Sequence, residues 1–425
     1  MKGINSSNEH LDKTFGNDGV SWIEHTDVAR GFMQRLTVGP DQKLIIAGAS
    51  GSNFYVGRLN EDGTTDSSFN DYGYRTGKFR EGYQSTRGSI SVLKSGEILL
   101  SGAWSEHELG PTKRGLALFD HSGRPVTTFG EAGTTVVHPD SLPTQALAQQ
   151  TDQSKESPAG QQNMSSIELP DGKLMVRSNH QYSYSDNIGI LMRVDRQGKI
   201  DYTFGNQEGY VRIQYTAHST YAGTVIPLSN GNFAIGGIVH QDRKNLGFIA
   251  LYNSAGDPVE TFGVGGYVLL DSIGALDQIF SLLETSDGNI IGIGSTDKGE
   301  LHGLIVCLDK TGGFVQDFNG GKPVITPAPD PSTGLQWLSG AQRADGKFVT
   351  LGSTTGASSA IIINQYHSNG GPDENFGTSG QVIVKVSDVL DIGQSVAIQQ
   401  DKIVGVATSL PQPEGVRAYA FRLKS

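Results

Sequence analysis

The sequence predicts an all-β fold, a seven-bladed β-propeller of four-stranded antiparallel blades, and three recurrences predict it. A Phe-anchored turn and a polar turn leading into a β-rich run each occur seven times, and a further apolar run follows each β-rich run, in six of the seven ending in a second polar turn. The Phe turns fall at Phe15, Phe69, Phe129, Phe204, Phe262, Phe318 and Phe376. Their spacings are 54, 60, 75, 58, 56 and 58 residues.

The second signature is DQKLIIAG (41–48), SGEILLSG (95–102), DGKLMVRS (171–178), NGNFAIGG (230–237), DGNIIGIG (287–294), DGKFVTLG (345–352) and QDKIVGVA (400–407). A run such as GRLNEDG or FIALYNSAG follows each of the first six, and AYAFRLKS stands in the seventh place. Each period reads as four strands. Strand one follows the Phe turn, as in GYVRIQY (209–215), and strand two enters the polar turn, as in GSISVLKSG (88–96). Strand three is the KLIIAG-type run and strand four the LMRVD-type run. Asp-Gly or Asn-Gly between apolar runs signals a tight hairpin, here expected as two-residue primed turns, because those residues accept positive φ. No segment keeps a 3.6-residue apolar period over three turns.

One blade cannot bury both its faces, whereas seven in a ring bury each against two neighbours. The recurrent Phe is then a plug between blades. The repeat units are about 19–66, 72–126, 132–201, 208–259, 265–315, 321–373 and 379–425 with 1–18, in one domain over 1–425. The chain ends within a strand-four pattern and begins with NEHLDKTFGNDGV, the piece that pattern lacks. The N-terminal segment is therefore expected to complete the last blade, strand 19–25 pairing near 417–424, and so to remove exposed edges.

Composition narrows the class. Gly is 57 of 425 residues, roughly twice the usual share of about 7%. Net charge is −11, which argues against a general nucleic-acid partner. No apolar run approaches the ~18 residues that span a bilayer, and MKGINSSNEH shows no signal-peptide core. The one cysteine, Cys307, lies in the apolar run LIVCLD and reads as a buried strand residue. GxSxG, HExxH, Walker A and CxxC patterns are absent, and no catalytic residue, metal or cofactor is expected. Turns such as NEDGTTD (60–66) lack the terminal acid of a calcium loop.

The pattern in GRLNEDGTTDSSFNDYG (57–73) and RVDRQGKIDYTFGNQEG (193–209) resembles the delta-60 repeat, a bacterial β-propeller-type repeat, over essentially the whole chain. Asp12, Asp66, Asp201 and Asp373 hold its Asp place, and Val126, Val259 and Val315 replace it elsewhere. The resemblance implies a fold, binding or surface roles more than catalysis, and a secreted or cell-surface home. It carries over no catalytic residue.

Function has to be argued from a site. The two-to-three and four-to-one turns are short and alike and share one end of the ring. The one-to-two and three-to-four loops share the other end and vary, which makes that end the expected binding face. It carries Trp104, Glu106, His107 and Glu108; Tyr182, Tyr184 and Asp186; His218 and Tyr221; His240, Asp242, Arg243 and Lys244; and Asp297, Lys298 and His302. It also carries the polar insertion 138–162. Of these, Trp104, His107, Glu108, Tyr182, Tyr184, His240, Arg243 and His302 are the residues expected to bind ligand. Aromatic rings mixed with acids and amides suit a carbohydrate or a protein ligand. Counting back from the Lys place of each turn gives Arg35, Ser89, Ser165, Thr224, Ser281, Ser339 and Gln394 on an innermost strand two lining the channel. The expectation is a monomeric binding module without membrane insertion. The alternatives are a hydrolase or lyase with acids at the channel mouth, and an adhesion module of the cell surface.

Overall fold

The computed structural model describes residues 8–24, 28, 31–70, 72–105, 113–139, 166–183, 186–241, 244–271, 273–356, 358–387, 389–410 and 415–424. Seven four-stranded antiparallel sheets form seven blades: 32–77, 84–137, 166–213, 219–270, 278–326, 335–384, and 391–422 completed by Val20–Trp22. In blade 7 the register is Val20↔Phe421, Ser21↔Ala420 and Trp22↔Tyr419. The N-terminal strand is thus the outer strand of the last blade, and Asp12 N donates to Arg422 O at 2.8 Å to extend the join.

The first strand of each blade is innermost and touches the inner strands of both neighbours, which closes the ring. In six blades this strand carries a β-bulge at the same place, with Gln34, Arg87, Gly223, Phe280, Leu338 or Gln394 as the extra residue. A bulge leaves backbone groups outside the ladder. The neighbouring blade satisfies several of them: Ser353 Oγ accepts from Gly393 N at 2.9 Å, Asn179 Oδ1 from Ala222 N at 2.8 Å, and Thr408 Oγ1 from Met33 N at 3.3 Å.

The turns into the second strand differ from the expected two-residue form. In blade 2, Leu93 N donates to Glu97 O and Gly96 N to Leu93 O, so three residues make the loop, and only Gly96 has positive φ (+83°). That is a type I turn closed by a left-handed Gly. Blade 7 alone has the two-residue primed turn, at Gln400 and Asp401, with φ of +46° and +67°.

Six of the seven recurrent Phe side chains are buried and Phe376 is half-buried. Phe15, from the outer edge of blade 7, lies under Gly63 of blade 1, where a Cβ would come within 2.8 Å of its ring. Phe69 meets Gly123 of blade 2 in the same way. The Gly is therefore fixed twice, by its φ of +84° at Gly63 and by the ring beneath it.

A polar cluster accompanies the Phe in four blades. In blade 1, Asp66 Oδ2 takes Arg58 Nε at 2.6 Å and Lys43 Nζ at 2.8 Å, while Oδ1 takes Ser68 N and Oγ and so caps the Phe turn. Arg58 also covers the Phe69 ring, 5.0 Å from its centroid. Lys173, Arg193 and Asp201 repeat this in blade 3, and Lys402, Arg422 and Asp12 in blade 7. In blade 6, Gln365 takes the Arg place beside Lys347 and Asp373.

The other three blades exchange the set as a unit. Where Val126, Val259 and Val315 replace Asp, the Arg place holds Leu118, Leu251 and Cys307, and the Lys place holds Glu97, Asn232 and Asn289. Leu118 with Val126, Leu251 with Val259 and Cys307 with Val315 join apolar clusters. Within this set a charge is present only with its counter-charge. Cys307 is consequently a core residue, and burial, with the Asp309 charge, pushes its thiol up to about 12.

Candidate functional site at the loop end and channel

The two ends of the ring treat polar groups differently. At the turn end a cleft of about 570 Å³ lies between blades 7 and 1, lined by Thr14, Asp41, Lys43, Asn60, Glu61, Asp62, Lys402 and Arg422. Its cations belong to the clusters just described: Lys43 is held by Asp66, and Lys402 and Arg422 by Asp12. Burial raises the Asp12 and Asp66 carboxyls, but hydrogen bonds from those Lys residues and from Thr14 and Ser68 outweigh it and hold both well below the usual range. This end holds itself together with its own charges.

At the loop end the blades differ from one another. His240 Nδ1 and Asn245 Oδ1 are 2.6 Å apart, and burial lowers the His240 pKa despite that bond. His302 is half-buried, with Nδ1 2.8 Å from Glu300 O. Lys244 and Lys298 are exposed, and Asp297 is half-buried. Trp104 has a different place from the one its loop-end position suggested. It is 1% exposed, because its strand runs on to Ser105 and sets the indole on a blade face, 4.5 Å from the Tyr83 ring. It offers no ring face to a ligand. His107, Glu108, Tyr184, Arg243, Glu106 and Asp242 lie outside the described residues, as do 140–162 of the insertion and the side chains of Tyr182 and Asp186.

Sequence reading passed over Tyr215. Tyr215 and His218, on the connection entering blade 4, stack with ring centroids 6.3 Å apart and 15° between planes, and both are half-buried. Tyr215 N donates to Thr220 Oγ1 and its ring meets Tyr267 edge-on, which fixes the platform. Tyr221 follows three residues after His218 on the inner strand of the same blade.

Along the channel, Ser89, Thr224 and Ser339 are buried and Ser281 is half-buried on inner strands, while Ser165 lies outside the described residues. The blade 7 equivalent is Ser395, paired with Val406, and Gln394 is the bulge residue beside it. The shift of one follows from the shorter turn of that blade. These hydroxyls serve the ring: Ser339 Oγ accepts Val396 N of the next blade at 3.2 Å, and Ser89 bonds Ser101 at 2.8 Å. Arg35 in the same row reaches the carbonyl of Gln394 at 3.0 Å.

Asp277 is the described carboxyl whose pKa is raised. Burial is the cause, only partly offset by the nearby Thr296 hydroxyl and the hydrogen bond from Gly274 N. It is wholly enclosed, and its Oδ2 accepts from Gly274 N. No group of three or more His, Cys, Asp or Glu among the described residues is placed to hold a metal ion.

Residues 39–69 match a family described as a domain of unknown function (DUF5122) beta-propeller. Among curated proteins nothing matches the sequence. Solved structures share the architecture at low identity. Drosophila Semaphorin 2a is 9% identical with a TM-score of 0.51, covering 95% of this chain and 75% of its own. The polysaccharide lyase Uly1 is 12% identical with a TM-score of 0.49, covering 96% and 93%. An α-L-arabinanase of Penicillium chrysogenum is 10% identical with a TM-score of 0.43, covering 96% and 98%. Likeness at this level speaks to the fold alone.

Proposed function

We propose that this propeller is a non-enzymatic binding module that recognises a carbohydrate or a protein through its loop end. The observation that carries the reading is the Tyr215–His218 stack, a half-exposed aromatic platform braced by Thr220 and Tyr267 at the end where the blades diverge. A ring face of this kind covers apolar C–H groups of a ligand, and neighbouring polar groups take its hydroxyls or amides. The opposite end supports the reading by contrast, since the cations of its cleft are already held by Asp12 and Asp66. The hydrolase reading has Asp277 to offer among the described carboxyls, and an enclosed carboxyl that bonds its own loop is poorly placed to meet a substrate.

A broad glycan array, probed with labelled protein with and without calcium, tests the reading. Saturable binding that His218→Ala reduces on the order of tenfold or more would support it. A blank array would remove carbohydrate, and a ligand whose binding ignores His218 would remove the platform.

A further inference from the structure

Blade 3 places a charge where the other blades place none. Arg177 occupies the third position past the start of its strand, Leu174–Ser183. The equivalent residues in the other blades are Ala47, Ser101, Gly236, Ile293, Leu351 and Val406. The fold therefore accepts small or apolar side chains there and does not need an arginine.

Arg177 is 0% exposed. Its Nη1 donates to Ala222 O on the inner strand of blade 4, while Nε and Nη2 have no hydrogen-bond partner. Those two atoms form one edge of the guanidinium, with two parallel N–H bonds, which is the fork that takes both oxygens of a carboxylate or one edge of a phosphate or sulfate. No carboxylate among the described residues pairs with Arg177. Burial first, and then the charge of Arg177, lowers the Arg35 pKa to about 10 and that of Arg114 to about 9. Arg177 Nη1 bonds Ala222 O on the strand Ser219–Pro227, which starts directly after His218, and this ties the edge to the Tyr215–His218 platform. A buried guanidinium with an empty fork costs stability, and a bound oxyanion removes that cost.

We propose that the Nε–Nη2 edge of Arg177 is an anion site that receives an oxyanion group of the ligand recognised at the loop end. The proposal rests on that end being the recognition surface, and it adds that the ligand is acidic. Both atoms of the edge are buried, so entry has to displace neighbouring groups, and slow association is expected.

The test is calorimetric and thermal titration of the whole chain with glucuronate, inorganic phosphate and inorganic sulfate at constant ionic strength, with glucose as the matched neutral sugar. The expected result is saturable binding of at least one anion with a rise in melting temperature, glucose giving none. A preference for glucuronate marks a carboxylate ligand, and a preference for phosphate or sulfate marks an ester. Arg177→Met should weaken binding on the order of 30-fold or more without lowering the melting temperature of the free protein. Arg177→Lys keeps the charge, loses the fork and should still lose on the order of tenfold. A wild-type protein that binds none of the anions at about 10 mM overturns the proposal, whether or not a variant folds. So does binding that both variants retain. A neutral ligand on the glycan array with no anion binding would sink this site and leave the loop-end reading standing; anion binding with a blank array would do the reverse for carbohydrate.

Discussion

Replacing Asp66 by Val is the sharpest probe of how the blades are built. In blade 4 the equivalent Val259 sits with Leu251 and Asn232, and the blade forms normally. In blade 1 the same Val would face Arg58 and Lys43, whose side chains are 11% and 29% exposed. Both lose their carboxylate, at 2.6 and 2.8 Å, and the cap on Ser68 goes too. Breaking a buried pair by removing one partner costs about 3–5 kcal/mol, and the partial exposure of Lys43 places the expectation at the lower end, about 3 kcal/mol. The triple variant Lys43→Asn, Arg58→Leu, Asp66→Val copies the blade 4 set and should return to within about 1 kcal/mol of the parent. Urea melts read both through the midpoint, with the slope checked for constancy. A single variant that costs under about 0.5 kcal/mol, or a triple as unstable as the single, would refute the idea that the set exchanges as a unit.

Other outcomes follow from the same structure. Phe69→Ala opens a cavity under Gly123 and should cost about 3–5 kcal/mol in denaturant melts; a loss below about 1 kcal/mol would contradict the plug. Asp12, Asp66 and Asp201 titrate below the usual carboxyl range, and the Lys347 hydrogen bond leads in holding Asp373 at about 2 despite burial. Their stabilisation is therefore present above the unfolded value of about 3.9 and is lost as pH falls through the folded values. Thermal melts should accordingly weaken steeply below about pH 4, and less steeply in the triple variant. Ser21→Pro breaks the Ser21↔Ala420 pair and should lower the melting temperature and promote association, read by light scattering; an unchanged melt would separate the N-terminal strand from ring closure. Cys307 should resist thiol reagents at about pH 8 until the protein unfolds, and rapid native labelling would contradict its place in the core.

Much of this architecture is legible in the sequence because each period carries its own turn chemistry. The Phe of one period and the Gly of the next are two halves of one contact, so Phe15 with Gly63 and Phe69 with Gly123 mark the blade seams. The loop end is harder to read. Trp104 looked like a loop residue because the strand end is set by pairing with Lys113, which no local pattern announces. Gln394 displaced Ser395 because one turn is a residue shorter, which a fixed count back from Lys402 cannot detect. Tyr215 and His218 are ordinary residues in sequence, and only the fold stacks them. Arg177 left a visible signal, since DGKLMVRS alone among the seven β-rich runs places an Arg at that position. What the sequence does not carry is which groups of neighbouring blades face it.

The division of the ring into a self-satisfied turn end and a recognising loop end is the central claim, and paired surface variants test it most directly. His218→Ala and Lys244→Ala alter the loop end, and Asn60→Ala and Glu61→Ala alter the turn-end cleft. Measured against the glycan array, the account predicts binding that the loop-end pair weakens on the order of tenfold and the turn-end pair leaves unchanged. Binding that instead depends on Asn60 or Glu61 would contradict it.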